Sequence, residues 1–340
     1  MKYTDIKEQM PQKRYVAYKL KNAVSYFESL NYRKDLYKDL KKLSNEIAVC
    51  TTRAGVLICK GCSTKYFDRS RQSYCQNRLC PVCARRRSLK YMKLLLPVFE
   101  DLLSKGYVIN FLTLTIKDTE VLNKGLKLLN DSWREMTHED KFLSNLFKKL
   151  FVGGLRNIEV KKGEYSKLWH PHMHILVVKK DYSRDYDYIK SLWEHATSKV
   201  AKTKQKVGSV HIEAIKTESG SVYKGFKSTK LKDGTRVVSN ELKQALLKAV
   251  AELVKYITKF NFEDYSNEDI NELIYSTKNK RFMNAFGILY NLQKEIEKDC
   301  EDIDEDEETM KEHICKHCGC TEFYLDSVLT ESVDTLEEFE

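Results

Sequence analysis

The stretch WHPHMHILVVKK, residues 169–180, decides the fold. Its apolar run Ile175–Val178 ends in two lysines, and Pro171 fixes where the strand starts. Side chains alternate across a strand, so His172 and His174 share one face while Met173 and Ile175 point into a core. Two imidazoles spaced this way can chelate a divalent ion through nitrogen and leave positions open for water and phosphate. His170 has the same parity but precedes the proline, which predicts a place outside the regular strand. A third ligand has to come from a neighbouring strand. Glu159, in GGLRNIEVKK (153–162), is the candidate if the two segments form an antiparallel hairpin. Two histidines and a carboxylate with open positions make a catalytic rather than a structural arrangement. The plain alternative is a solvated sheet face whose histidines bind nothing.

Outward from the hairpin, VINFLTLTIKD (108–118) alternates threonine with leucine, the period of a strand. Asp118 or Thr119 is placed to cap a following helix with Leu122, Leu126, Leu129 and Trp133 at helical spacing. A short helix is expected over 185–198 and a further strand at VGSVHIEAI (207–215). A Gly-, Ser- and Lys-rich loop is expected over 216–238, then a long helix from about Asn240 to Phe260. Residues 281–294 read as a short apolar helix or turn. Residues 15–48 are helical by the spacing of Leu20, Val24, Phe27 and Leu30, and again of Leu36, Leu40, Leu43 and Ile47. A basic-to-apolar helix is expected from Arg85 to Lys105, kinked at Pro97. This order gives an α+β fold: a central antiparallel sheet with helices packed on one face, plus N-terminal helical and zinc-binding elements.

The long helix carries Glu252 and Tyr256 four residues apart on one face, with Lys248 and Lys255 or Lys259 beside them. A phenol is a weak nucleophile at its ordinary pKa of about 10, unless a metal neutralises the phosphate it attacks. Glu252 can take a proton from the phenol or from water, and a lysine can stabilise charge on the phosphate.

The ten cysteines do not have the spacing of a secreted disulfide scaffold. Cys59 and Cys62 form one CxxC pair and Cys80 and Cys83 another, which predicts one four-thiolate zinc site, with Cys75 a fifth candidate. A second cluster, Cys315, His317, Cys318 and Cys320, holds a single knuckle, whose partner for a second zinc would be Cys300 or His313. Thiols used this way suit a reducing cytoplasm. No apolar run is long enough to span a membrane, and the opening MKYTDIKEQMPQKR has no apolar segment after its charges, so no secretory signal is expected.

Of the 340 residues, 295–340 hold 18 acidic and 3 basic side chains, a net of −15, and the preceding body carries +25. Such a body favours a polyanion, and Arg85, Arg86 and Arg87 beside a zinc knuckle are candidate phosphate contacts. The expected segments are an N-terminal helical region (1–49), a zinc module with its basic helix (50–106), a catalytic domain (107–294), an acidic linker (295–312) and a Cys/His tail (313–340). No phosphate-cradling GxxxxGK[ST] loop is present.

Four segments, SYCQNRLCPVCARRRSLK (73–90), FLTLTIK (111–117), HPHMHILVV (170–178) and ELVKYITK (252–259), occur in an order that resembles the rolling-circle replication initiators of small plasmids of Gram-positive bacteria. GGLRNIEV and RFMNAFGILY (281–290) add to the likeness, which covers roughly 50–290. The resemblance implies a His-hydrophobe-His endonuclease with its histidines on a middle strand. His172 and His174, with Glu159, would hold Mg²⁺ or Mn²⁺, and Tyr256 would be the nicking nucleophile. Glu252 would activate the water that ends replication, and Lys259 would assist. The implied partners are origin DNA with a single-stranded or hairpin nick site, a host helicase and a host polymerase. Phe260 stands where the family often has an aspartate, which leaves that acidic role without a residue here. Two other readings remain: a zinc-dependent DNA-binding regulator without chemistry, and a transposase, relaxase or phage initiator using the same nucleophile.

Overall fold

The computed structural model describes residues 3–68, 73–163, 165–180, 186–215, 237–255, 262–292, 294–295 and 314–329. The chain divides into two units, one of residues 1–89 with 298–340, the other of residues 90–297. The basic loop expected over 216–238 lies almost wholly outside the described residues, as do Tyr256, Lys259, Cys300 and His313.

In the first unit, α1 (Tyr3–Ser29) and α2 (Lys34–Val49) are two helices where one helical stretch was expected. The chain reverses at Asn31, whose φ of 53° ends the first helix. Val16, Leu20, Ala23, Val24 and Phe27 are buried with Tyr37, Leu40, Leu43 and Ile47 of α2. The Phe27 and Tyr37 rings stack at 5.9 Å. Leu30, expected in this stripe, is half exposed because it lies past the end of α1. A three-stranded antiparallel sheet follows, in the order β2 (Lys65–Asp68), β1 (Arg53–Cys59), β8 (Phe323–Leu329). Residues 314–329 are therefore no separate tail. Cys59 pairs in register with Phe323, and Arg53 with Leu329.

The second unit is built on a five-stranded sheet in the order β6-β3-β5-β4-β7, with every pairing antiparallel. The strands are β3 (Val108–Ile116), β4 (Gly153–Lys162), β5 (Trp169–Lys179), β6 (Gly208–Ala214) and β7 (Met283–Gly287). The expected hairpin is β4–β5, and the histidine strand β5 is central. β7 replaces the helix or turn expected over 281–294: Gly153 to Asn157 leave a free edge on β4, and five residues pair with it. β5 starts at Trp169, so His170 lies inside the strand, opposite Lys161.

Helices cover both faces of this sheet, not one. α4 (Leu122–Arg134) and α6 (Tyr186–Val200) pack on the Met173 and Ile175 side, where Arg156 reaches both Asn130 and the Met173 sulfur. α7 (Asn240–Lys255) lies on the histidine side, where Asn157 Nδ2 donates to the Leu253 carbonyl at 2.8 Å. Leu242, Ala245, Leu246, Val250, Leu253 and Val254 are its buried residues. Neither Asp118 nor Thr119 caps α4. Its first position is Leu122, whose N–H donates to Glu272 Oε1 at 2.7 Å, while Asp118 accepts from Ser166. Glu272 belongs to α8 (Asn267–Thr277), which starts on a capping box of Ser266 and Asp269. α3 (Pro81–Ser104) and α5 (Lys141–Leu150) complete the α-helices among the described residues.

Candidate metal centre and nuclease site

The pleat that places His172 and His174 on one face does the same for the strands beside them. In register, His211, Thr113, His174 and Asn157 form one row across β6, β3, β5 and β4, and Ser209, Thr115, His172 and Glu159 form the next. The Glu159 side chain is fully buried. Its Oε2 meets His172 Nε2 at 2.5 Å and His174 Nε2 at 2.9 Å, and its Oε1 pairs with Lys161 at 2.7 Å. Burial alone would raise this carboxyl; hydrogen bonds from His172 and His174, the charge interaction with His172 and a hydrogen bond from Lys161 outweigh it and hold the group at about 2. Burial lowers His174.

The backs of both rings are held. His172 Nδ1 lies 3.2 Å from the His170 carbonyl oxygen, which can only accept, so this nitrogen carries the proton. His174 Nδ1 meets Thr113 Oγ1 at 3.1 Å. Both Nε2 atoms thus converge on one carboxylate oxygen, at separations that a proton or a cation between them accounts for. The three ligand atoms of Glu159, His172 and His174 lie within 4.8 Å of one another, and the donor set of two imidazoles and a carboxylate suits a divalent transition ion or Mg²⁺. The ring orientation imposed by His170 and Thr113 is the support such ligands need.

His174 also lines a groove of about 400 Å³ between the sheet and α7, together with Thr113, His211, Glu213, Lys248 and Glu252. Glu252 is thus on the histidine side of the sheet. Lys255 bonds the Glu252 carboxylate at 3.2 Å. Asn157 was missed from sequence, although it stands two residues before Glu159 and so shares its face. It is fully buried and ties the end of α7 to the row containing His174. His211 and Glu213, bonded to each other at 2.5 Å, were missed as well; their signal is the same alternation in VGSVHIEAI. His170 stays out of the cluster and bonds Asp118 at 2.6 Å.

The cysteines are grouped differently from the expected pairs. Cys80 and Cys83 meet Cys50 and Cys75, whereas Cys59 and Cys62 meet Cys315 and Cys318. Linear spacing favoured joining the two CxxC pairs, but strand pairing of β1 with β8 brings the distant knuckle to Cys59, and the end of α2 brings Cys50 to α3. Cys320 and His317 are in neither group of four. Of the three arginines, Arg86 lies over the Tyr74 ring at 4.1 Å and Arg87 donates to the Gln76 carbonyl at 2.7 Å, while Arg85 is exposed. No helix among the described residues is long and apolar enough to cross a membrane.

A family model described as Replication protein matches residues 68–323. A Protein rep of a Bacillus species is 28% identical over 243 residues, covering 66% of this chain and 71% of that protein. A Protein rep of Streptococcus pneumoniae is 29% identical over 160 residues, 45% of each chain, and one of Bacillus amyloliquefaciens is 27% identical over 243 residues, 66% of this chain and 64% of that protein. No solved structure matches. With three quarters of its length matched, including the sheet, the Glu159–His172–His174 cluster and α7, the chain belongs to the Rep_1 family of replication proteins.

Proposed function

We propose that the protein initiates rolling-circle replication of a plasmid by nicking and rejoining DNA at the double-strand origin. The observation that carries this reading is the placement of Glu252 and His174 in one groove beside the Glu159–His172–His174 cluster. Tyr256 follows one residue after Lys255, the last described residue of α7. Mg²⁺ or Mn²⁺ bound by Glu159, His172 and His174 would polarise the scissile phosphate.

In this mechanism the Tyr256 phenolate attacks phosphorus, and its oxygen forms a 5′-phosphotyrosyl ester as the bond to the 3′ oxygen breaks. The departing oxygen takes a proton and becomes the 3′-hydroxyl primer for a host polymerase, while a host helicase unwinds the duplex. Glu252 removes a proton from the water that cleaves the phosphodiester of the regenerated site, and Lys248, Lys255 or Lys259 offsets charge on the phosphate. The ester conserves the phosphodiester energy, so rejoining needs no ATP. Arg85, with the basic body, contributes phosphate contacts.

The test is incubation of the purified protein with a single-stranded origin oligonucleotide and Mn²⁺, followed by mass spectrometry of the adduct. The expected product is a peptide containing Tyr256 joined to the 5′ phosphate. Duplex binding without any metal-dependent cleavage would overturn the reading in favour of a regulator without chemistry.

A further inference from the structure

The two CxxC knuckles that meet across β1 and β8 are copies of one turn. In the first, Cys59 N–H donates to the Thr64 carbonyl at 2.9 Å, and Ser63 N–H to the Cys59 carbonyl at 2.9 Å. In the second, Cys315 N–H donates to the Cys320 carbonyl at 2.9 Å, and Gly319 N–H to the Cys315 carbonyl at 2.8 Å. The bonds span the same intervals, and the fifth residue of each turn is left-handed, Ser63 at φ 60° and Gly319 at φ 69°. The two turns therefore present their sulfurs in the same way, from opposite sides.

Those sulfurs converge. Cys59 Sγ is 3.5 Å from Cys318 Sγ, and Cys62 Sγ is 3.4 Å from Cys315 Sγ. A disulfide would need about 2.05 Å. Four thiolates at ~2.3 Å from a tetrahedral ion stand ~3.8 Å apart, close to the separations found. The surroundings suit thiolates. Lys316 N–H donates to the Tyr66 hydroxyl oxygen at 3.0 Å, which leaves the phenolic proton for Cys315 Sγ at 3.3 Å. Gly61 keeps the approach open, since a β-carbon there would lie 3.1 Å from Cys318 Sγ.

The other four cysteines repeat the spacing with a different scaffold. Cys50 Sγ is 3.6 Å from both Cys83 and Cys80, and Cys75 is 3.6 Å from Cys83. The Cys75 N–H donates to Cys50 Sγ at 3.3 Å, and Pro81 opens α3 between Cys80 and Cys83, so the helix N-terminus favours both as thiolates.

The geometry points to two structural zinc ions with crossed ligand sets: one in Cys50, Cys75, Cys80 and Cys83, the other in Cys59, Cys62, Cys315 and Cys318, where it clasps the C-terminal strand β8 to β1. This site is independent of the nuclease chemistry. Elemental analysis of the full-length protein should give two zinc atoms per chain. Cys318→Ser should reduce this to one and speed amide exchange in β8 and β1, while exchange in β5 is unchanged. Pairing of Cys59 and Cys62 with Cys80 and Cys83 would instead leave the zinc content of Cys318→Ser unaltered, and that result overturns the assignment. The wild-type protein supplies a second measurement that needs no variant. Brief alkylation should label Cys320 and spare Cys59, Cys62, Cys315 and Cys318 until a chelator is added. Labelling of those four at the rate of Cys320 before chelation, or a metal other than zinc, also overturns it.

Discussion

Glu159 concentrates the chemistry of the site in one side chain. It is buried, receives both imidazoles on a single oxygen, and is neutralised on the other by Lys161. Glu159→Gln keeps the shape and removes the charge. It should abolish Mn²⁺ binding by calorimetry and reduce nicking by at least about 10²-fold, comparable to losing a transition-state electrostatic contact; unchanged Mn²⁺ affinity would remove Glu159 from the ligand set. Tyr256→Phe should eliminate covalent adducts and spare duplex binding, checked by denaturing gel and by filter binding. Glu252→Ala should leave the first cleavage intact and slow hydrolytic release; equal loss of both steps would make Glu252 a general base or a structural residue. The histidines and Glu159 were legible because a period of two fixes their face once the hairpin is recognised. Cys50 was not, because its partners lie 25 to 33 residues away and only the meeting of the end of α2 with the start of α3 discloses them.

At the level of elements, α7 matters for where it lies. Leu253 is fully buried, and its carbonyl accepts from Asn157, so the helix turn bearing Glu252 is fixed against the histidine row. Asn157→Ala removes that buried hydrogen bond and should cost about 0.5–1.5 kcal/mol by chemical denaturation, with a larger loss of nicking than of DNA binding. A second element supplies a pH test. Asp140 caps α5, accepting from the Phe142 and Leu143 N–H groups, and its carboxylate also takes a bond from Lys199. The Lys199 bond, with the backbone donors, lowers its pKa. A depressed carboxylate contributes stability above its unfolded pKa of about 3.9 and loses it as the pH falls through the folded value. Asp140→Asn should therefore lower the melting temperature at pH 7 and converge with the parent at pH 2. Among the helices, α8 had an unread signal, Ser266 with Asp269 ahead of an apolar run, whereas β7 had none: five residues at a sheet edge acquire strand geometry from β4 rather than from their own pattern.

For the whole molecule, the separation of charge was plain in composition, and four of the five strands of the larger sheet, with the β4–β5 hairpin, followed from a few turn and period signals. The helices on both faces did not, since periodicity tells which side of a helix is buried but not which side of a sheet receives it. A body of net charge +25 binding a phosphate backbone releases counterions, so origin affinity should fall linearly on a log–log plot against salt, by about 0.9 per phosphate neutralised. A flat plot in an electrophoretic mobility assay would deny the basic surface its role.

The pairing of Cys62 with Cys315 spans 253 residues of chain. A ribosome adding about 5–20 residues per second needs tens of seconds to cover that interval. During that time β1 has an unpaired edge and half a set of sulfurs, while residues 90–297, including the five-stranded sheet, are already emerging. Completion of the smaller sheet thus follows synthesis of the larger one, and a chain interrupted before Cys315 would carry the whole five-stranded sheet with the smaller sheet still open.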